Sequence, residues 1–481
     1  MDAKLIDRLD AGLGNGIERL MRSHHRRRLR RIGWGGVFEA SPGLWAGGEP
    51  PPRPGNDAEI LVDGAAFLPR IAEELAHAES HVHITGWYVS TELALERDGT
   101  RMVLLDLLGA LAERLDVRVL LWAGAPLPLF RPTRRAVRDV AERLRSVGVR
   151  VGLDAKERPL HCHHEKLVVI DDRLATVGGI DLTTFSGDRF DSSVHRWRPS
   201  LGWHDAAAVV RGPIVTDVAE HFRLRWREVT GEAVPEPAAA NESGRHELQL
   251  VRTMPEKVYA ARPRGEFRIF EGYVRAFRSA ERLIYLESQF LWSPELVEIL
   301  VEKLRRPPSD EFRIVAVLPS HPESGSDDSR GQVGVLVEAD AGAGRFLACT
   351  LYARDDARVE PIYVHAKIGI VDDRWLTIGS ANLNEHSLFN DTEVNLISLE
   401  PDLAKATRER LWAEHLELPI DEVRRLEPAE LVDQRWFPIA EEQLQRRARG
   451  ETLTHRLVRL PGASRRSRRL FGPLQGLVVD G

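Results

Sequence analysis

Residues 161–182 read HCHHEKLVVIDDRLATVGGIDL, and residues 363–385 read YVHAKIGIVDDRWLTIGSANLNE. His164, Lys166, Asp171, Asp172, Gly178 and Asp181 each fall 201 residues before His365, Lys367, Asp372, Asp373, Gly379 and Asn382. A six-membered register of this kind is a duplication, and it constrains the architecture before any single residue is interpreted. The repeat extends upstream. HVHITGWYVSTEL (81–93) answers LIYLESQFLWSPEL (283–296), each behind a helical pattern, FLPRIAEELAHAES in one half and FEGYVRAFRSAE in the other. A second helix and an apolar strand follow each, DVRVLLWAG and EFRIVAVLPS.

Both halves therefore read strand, helix, strand, helix, strand, which predicts α/β units. GEAVPEPAAANESG (231–244) has no apolar period and reads as a linker. The expected fold is α/β: two fused, pseudo-twofold-related α-β-α domains with the active site at their interface. A basic arm (1–45) precedes the first domain (46–230), and the second (245–481) follows the linker and ends in a basic tail.

At 481 residues with 43% hydrophobic and 29% charged side chains, the chain has the composition of a globular protein with two large cores. Lys plus Arg is 67 against 73 Asp plus Glu, so a net charge of -6 argues against a body built to neutralise nucleic acid. Positive charge is local: Arg22, Arg26, Arg27, Arg28, Arg30 and Arg31 near the start, Arg465, Arg466, Arg468 and Arg469 near the end. Such arms suit an anionic lipid surface, or are plain solvated charge. Two cysteines, Cys162 and Cys349, need not pair, which fits a reducing compartment. The opening MDAKLIDRLDAGLGNGIERLM lacks the apolar run of a secretory signal. No stretch reaches the ~20 apolar residues that span a bilayer. The expected location is cytoplasmic, at most peripheral to a membrane.

If HEKLVVI is a strand, His164 and Lys166 share a face and Glu165 points the other way. Asp171 and Asp372 then fall in turns and receive structural, not chemical, roles. DDR between two apolar runs predicts a hairpin in each half. Pairing Ile170 with Leu174 folds Gly179 and Asp181 back beside His164, and Ser380 and Asn382 back beside His365. Small residues there leave room for a ligand, and Ser and Asn hydrogen-bond its oxygens. A single His-Lys pair on a strand is more readily structural. Two copies facing one cavity surround an anion with two lysines, which suit phosphate oxygens, and two histidines that divide the work of nucleophile and acid. His161, Cys162, His163 and His164 are metal-ligand types, but strand neighbours alternate faces and the second copy keeps one histidine, so neither a metal nor a cofactor is expected.

The doubled HxKxxxxD, followed by GGIDL and GSANLN, resembles the phospholipase D superfamily over most of the chain, from about Asp57 onward. GWHDAAAVVRGPIVTDVAEHFRLRWRE (202–228), LQLVRT and YLESQFLW are similar to further stretches of that family, and HHEKLVVIDD, GGIDL and GWHD look most like phospholipase D proper. The resemblance implies ping-pong phosphoryl transfer, with His164 as the nucleophile that becomes a phosphohistidine and His365 as acid and base. It implies Lys166, Lys367 and Asn382 on the non-bridging oxygens. It also implies an acidic residue orienting each histidine: Glu393 for the second copy and Asp191, in GDRFDSS, for the first. Asp181 stands where the second copy has Asn382; a carboxylate cannot donate to phosphate, so it supports the loop.

The expected substrate is a glycerophospholipid such as phosphatidylcholine, hydrolysed to phosphatidic acid or transphosphatidylated. The alternative is a cardiolipin synthase-like phosphatidyltransferase; a nuclease of the same family is disfavoured by the net charge. A scaffold without chemistry is disfavoured by the four intact His and Lys positions. The expected partner is a phospholipid membrane surface, because RSHHRRRLRRIGWGG and RRSRRLFGPLQGLVVDG mix arginines with apolar residues. No nucleic acid is expected, and a duplicated chain completes its own site as a monomer. Trp87, Tyr88, Phe290 and Trp292 are candidates for acyl contact or for core. The polar loop SHPESGSDDSRG (320–331) is a candidate gate.

Overall fold

The computed structural model describes residues 3–39, 42–96, 102–127, 130–158, 161–194, 201–321 and 326–462. Each half builds one sheet. In the first, the strands lie side by side in the order Arg150–Asp154, Asp116–Trp122, His81–Gly86, Leu167–Ile170, Leu174–Gly178, Ala206–Arg211 and Arg53–Val62. In the second, the order is Phe346–Arg354, Arg313–Val317, Leu283–Glu287, Ile368–Val371, Trp375–Gly379, Glu393–Ser398 and His246–Met254. In both sheets the first two pairings are parallel and the next four antiparallel. The parallel pairings need crossover helices, supplied by Leu104–Ala112 and Arg134–Ser146 in the first half and by Pro294–Arg305 and Ser326–Asp340 in the second. The two sheets meet where Arg53 pairs with Leu248 and Asn56 with His246.

Strand alternation sorts the apolar side chains into layers. Leu167 and Val169, with Ile368 and Ile370, point into a core shared by both halves, together with Val218 and Trp412 from the helices Ile214–Thr230 and Pro401–Leu416. Val168 and Ile170 point to the outer core of the first half. Ile284, Leu286 and Trp375 point to that of the second.

Both predicted hairpins form, with Ile170 opposite Leu174 and Val371 opposite Trp375. Their turns hold Asp171, Asp172, Asp372 and Asp373 at φ of 54°, 52°, 53° and 52°, a left-handed conformation that Asp tolerates better than most residues. Asp171 accepts backbone N–H groups from Glu79, Ser80 and His81, and Asp372 does the same for Glu281, Arg282 and Leu283. The second aspartate of each turn pairs with an arginine of the shared-core helices, Asp172 with Arg223 and Asp373 with Arg408.

The N-terminal helix Ala3–Arg31 docks on the second half of its own chain. Arg28 is buried against Glu256 (2.6 Å) and Asn390 (2.9 Å), His25 lies 2.9 Å from Glu295, and Ile32 and Trp34 pack on the outer core. The amphipathic character read as a lipid-facing arm is spent largely on intramolecular packing, with Arg27, Arg30 and Arg31 left exposed. The basic tail at 465–481 lies outside the described residues, as do residues 322–325 of the candidate gate. No helix among the described residues is long and apolar enough to cross a membrane.

Candidate active site

The regular ladder starts at Leu167, three residues later than the strand reading assumed, because residues 161–166 cross to the other half. His163 bridges in parallel to Thr392, and the His164 N–H donates to Thr392 O at 3.0 Å. The second copy mirrors this: Tyr363–Val364 pairs in parallel with Trp203–His204, and the His365 N–H donates to His204 O at 2.8 Å. Each motif histidine is thus anchored beside the residue that precedes an acid of the opposite half.

Those acids complete the crossover. Glu393 Oε1 lies 3.0 Å from His164 Nδ1, and Asp205 Oδ2 lies 2.6 Å from His365 Nδ1. Two expectations are corrected here. Glu393 orients the first histidine in place of Asp191, and Asp205 orients the second in place of Glu393. Asp191 is partly exposed and accepts the Ser193 N–H at 2.9 Å. Asp205 is the structural counterpart of Glu393: Gly179 N–H donates to Ala206 O as Ser380 N–H donates to Val394 O. The offset between halves is therefore 201 at the glycine and serine but 188 at the acids, so the first half holds thirteen more residues between them.

The small residues after each hairpin also serve the opposite half. A Cβ at Gly179 would lie 2.1 Å from Asp205 Oδ1, so the space left by glycine is filled by that carboxylate and not by a ligand. At the equivalent place Ser380 donates its hydroxyl to Glu393 Oε2 (2.5 Å), while its carbonyl lies 3.2 Å from His164 Nδ1. Ser387 supplies a second hydroxyl to Glu393 at 2.6 Å.

The rings of His164 and His365 face each other with centroids 6.2 Å apart. Lys166 and Lys367 are buried, and each curls its ammonium back to the carbonyl of its own motif histidine. Lys166 also pairs with Asp181 at 3.1 Å, which explains the carboxylate at that position. Asn382 donates to Gln289 at 3.2 Å, Gln289 donates to Tyr363 at 2.8 Å, and Asn382 Oδ1 is buried without a partner. Trp203 packs against His365 with centroids 4.5 Å apart, and Arg189 lies over the Trp203 ring. Trp87, Phe290 and Trp292 are buried, Tyr88 half-buried.

Burial controls the proton affinities. It pushes the Asp205 carboxyl up to about 6 and that of Glu393 up to about 8. It pulls Lys367 down to about 7. His365 is held well below its ordinary value, first by burial and then by the positive charges of Lys367, Arg189 and Lys166. With each Nδ1 committed to a carboxylate, Nε2 is the atom each ring offers to chemistry. The arrangement suits nucleophilic attack by one imidazole and proton transfer by the other, on an anion lying between two lysines.

A family described as "Cardiolipin synthase, PLD-like domain" matches residues 273–414. Phospholipase D A of Dictyostelium discoideum is 26% identical over 466 residues, covering 76% of this chain and 36% of that protein. Phospholipase D2 of Bos taurus is 24% identical, covering 73% and 50%. Phospholipase D alpha 1 of Cynara cardunculus is also 24% identical, covering 80% and 69%. The chain is thus similar to phospholipases D over 73–80% of its length, and its second half matches a PLD-like domain. It spans about a third to a half of the length of the first curated relatives it matches. Its fold is similar to that of phosphatidylserine synthase from Haemophilus influenzae Rd KW20, with a TM-score of 0.50 at 15% identity, covering 74% of this chain and 85% of that one.

Asp205 was within reach of the sequence, since GWHD places it directly before the apolar AAAVV run that pairs as Glu393–Ser398 does. The unequal loop lengths hid it. Gln289, Ser387 and Trp203 carry no spacing signal.

Proposed function

We propose that this chain is a phospholipase D-type phosphodiesterase that hydrolyses glycerophospholipids such as phosphatidylcholine to phosphatidic acid and also transfers the phosphatidyl group to alcohols. The observation that carries the reading is the pair of facing motif histidines, each with Nδ1 held by a carboxylate of the opposite half.

In the first step His164 Nε2 attacks phosphorus and the bond from phosphorus to the head-group oxygen breaks. That oxygen takes the proton of His365 Nε2, so the free head group leaves and a phosphohistidine remains. In the second step His365 removes a proton from water or an alcohol, the resulting oxygen attacks phosphorus, and the phosphorus–nitrogen bond breaks to return His164. Lys166, Lys367 and Asn382 hold the non-bridging oxygens where charge develops. The depressed proton affinity of His365 in the free protein fits this sequence. An incoming phosphodiester offsets the charges of Lys166 and Lys367, which contribute to the depression, so substrate binding itself arms the acid. The phospholipid surface enters as a peripheral partner through the exposed arginines of the N-terminal helix.

The test incubates phosphatidylcholine vesicles with the protein and dilute ethanol, beside His164→Ala and His365→Ala. Phosphatidic acid and phosphatidylethanol formed by the wild type and by neither variant support the reading. Cleavage of a simple aryl phosphodiester without any lipid product overturns the substrate class while retaining the catalytic centre. Preference for glycerol or phosphatidylglycerol over water as acceptor favours the phosphatidyltransferase.

A further inference from the structure

His161, three residues before His164, meets two residues of the second half. Its Nδ1 lies 2.9 Å from Nδ1 of His386 and 3.4 Å from Oδ1 of Asp391, and the three ligand-type atoms all lie within 4.8 Å of one another. His386 sits on the short helix Glu385–Phe389, and Asp391 lies just beyond it, two residues before Glu393. We infer that His161, His386 and Asp391 form a binding site for a divalent transition-metal ion such as zinc.

Two observations bear on this. First, the spacing fits: a tetrahedral ion with ligands at about 2.0–2.1 Å sets neighbouring ligand atoms roughly 3.3 Å apart, and the two measured distances, 2.9 and 3.4 Å, bracket that value. Second, the polar atoms are not otherwise accounted for. Two imidazoles meeting Nδ1 to Nδ1 make one shared-proton contact, and Asp391 Oδ1 is already occupied by the Cys162 N–H at 2.9 Å. Asp391 Oδ2 is buried without any hydrogen-bond partner, and the residue is 0% exposed. A buried carboxylate oxygen left so is expensive, and a cation resolves it.

Two imidazoles and one carboxylate suit zinc or cobalt, and the His161 side chain is 16% exposed, which gives the ion a path in and leaves a fourth position to water. The buried set His204, Glu287 and His415 differs: both histidines already bond the same glutamate, at 2.9 and 2.8 Å, in a site with no exposure. Strand alternation speaks only to a site made from 161–164 alone. It does not reach ligands contributed by the other half.

An ion here joins the first half to the second next to the catalytic pair. On one side it fixes the segment leading to His164; on the other, His386 is followed by Ser387, which donates to Glu393. Binding therefore orders the crossover that orients His164, whichever phosphodiester is the substrate.

The experiment strips the full chain with a chelator, dialyses it, and titrates Co2+ against visible d–d absorption and Zn2+ by calorimetry. His161→Gln and Asp391→Asn run alongside, with circular dichroism to confirm folding. Expected is one equivalent bound per wild-type chain with tetrahedral-type absorption, a melting temperature raised by zinc, and affinity at least about tenfold weaker in both variants. Because His161 is partly exposed, its glutamine variant tests the site even if Asp391→Asn does not fold. No saturable Co2+ binding by the folded wild type, or undiminished binding by His161→Gln, overturns the proposal.

Discussion

At the scale of single residues, the catalytic centre depends on two carboxylates, Asp205 and Glu393, and one lysine, Lys367, that burial has moved off their ordinary proton affinities. Asp205→Asn keeps the shape against His365 Nδ1 but removes the charge that fixes the ring's tautomer. The expected loss in turnover is about 10²–10⁴-fold with little change in KM, measured on a soluble aryl phosphodiester. Asp191→Asn is expected to leave turnover near wild type, since its carboxylate accepts from Ser193 instead. Lys367 gives a pH test with a definite sign. Its folded value of about 7 lies below the ordinary lysine value of 10.5, so between these the unfolded chain binds the extra proton and wild-type stability rises with pH. Below about pH 7 the lysine is charged in both states and its burial cost is fully present. Lys367→Met should therefore unfold at higher urea than wild type at pH 6, by a few kcal/mol at most, with the gap closing toward pH 10. Urea midpoints across that range check it, and a gap independent of pH would show that Lys367 carries no burial cost.

Among the elements, the hairpins were the most legible part of the chain, because period-two alternation and a DDR turn are local signals that need no distant partner. Their register came out as read, with Ile170 opposite Leu174. The motif aspartates were legible as turn residues, but their three backbone partners each were not, since those partners lie about 90 positions upstream. Asp372→Ala strips the acceptor from the N–H groups of Glu281, Arg282 and Leu283. A cost of about 1–3 kcal/mol follows from leaving such donors unmet. Urea unfolding measures it, and turnover per folded molecule should stay within about twofold, because the turn lies at the far end of the hairpin from the histidines. The packing of the arm was hidden for a related reason. Periodicity reveals that a helix has an apolar face but not which surface covers it, and here Leu29, Ile32 and Trp34 are covered by the chain's own second half.

For the whole molecule, the duplication made the two sheets and their shared strand order visible in sequence, yet it concealed how the halves exchange functional groups. A repeat invites the assumption that each copy serves itself. The structure instead sends residues 161–166 to Thr392 and Tyr363–Val364 to Trp203–His204, so neither histidine is oriented without the other half. The boundary is also apolar in the manner of a single interior: Leu167, Val169, Ile368, Ile370 and Trp412 all belong to one core. An interface of that kind is expected to hold without covalent continuity. The coil after Gly231 supplies a place to test this, because Glu242 is exposed and lies outside any helix or strand. Cleavage at a protease site inserted beside Glu242 should leave two fragments that co-elute on size exclusion under native conditions and retain the turnover of the uncut chain. Fragments that separate without denaturant would mean that the shared core and the crossed carboxylates contribute too little to keep the halves together, and that the linker, not the interior, maintains the site.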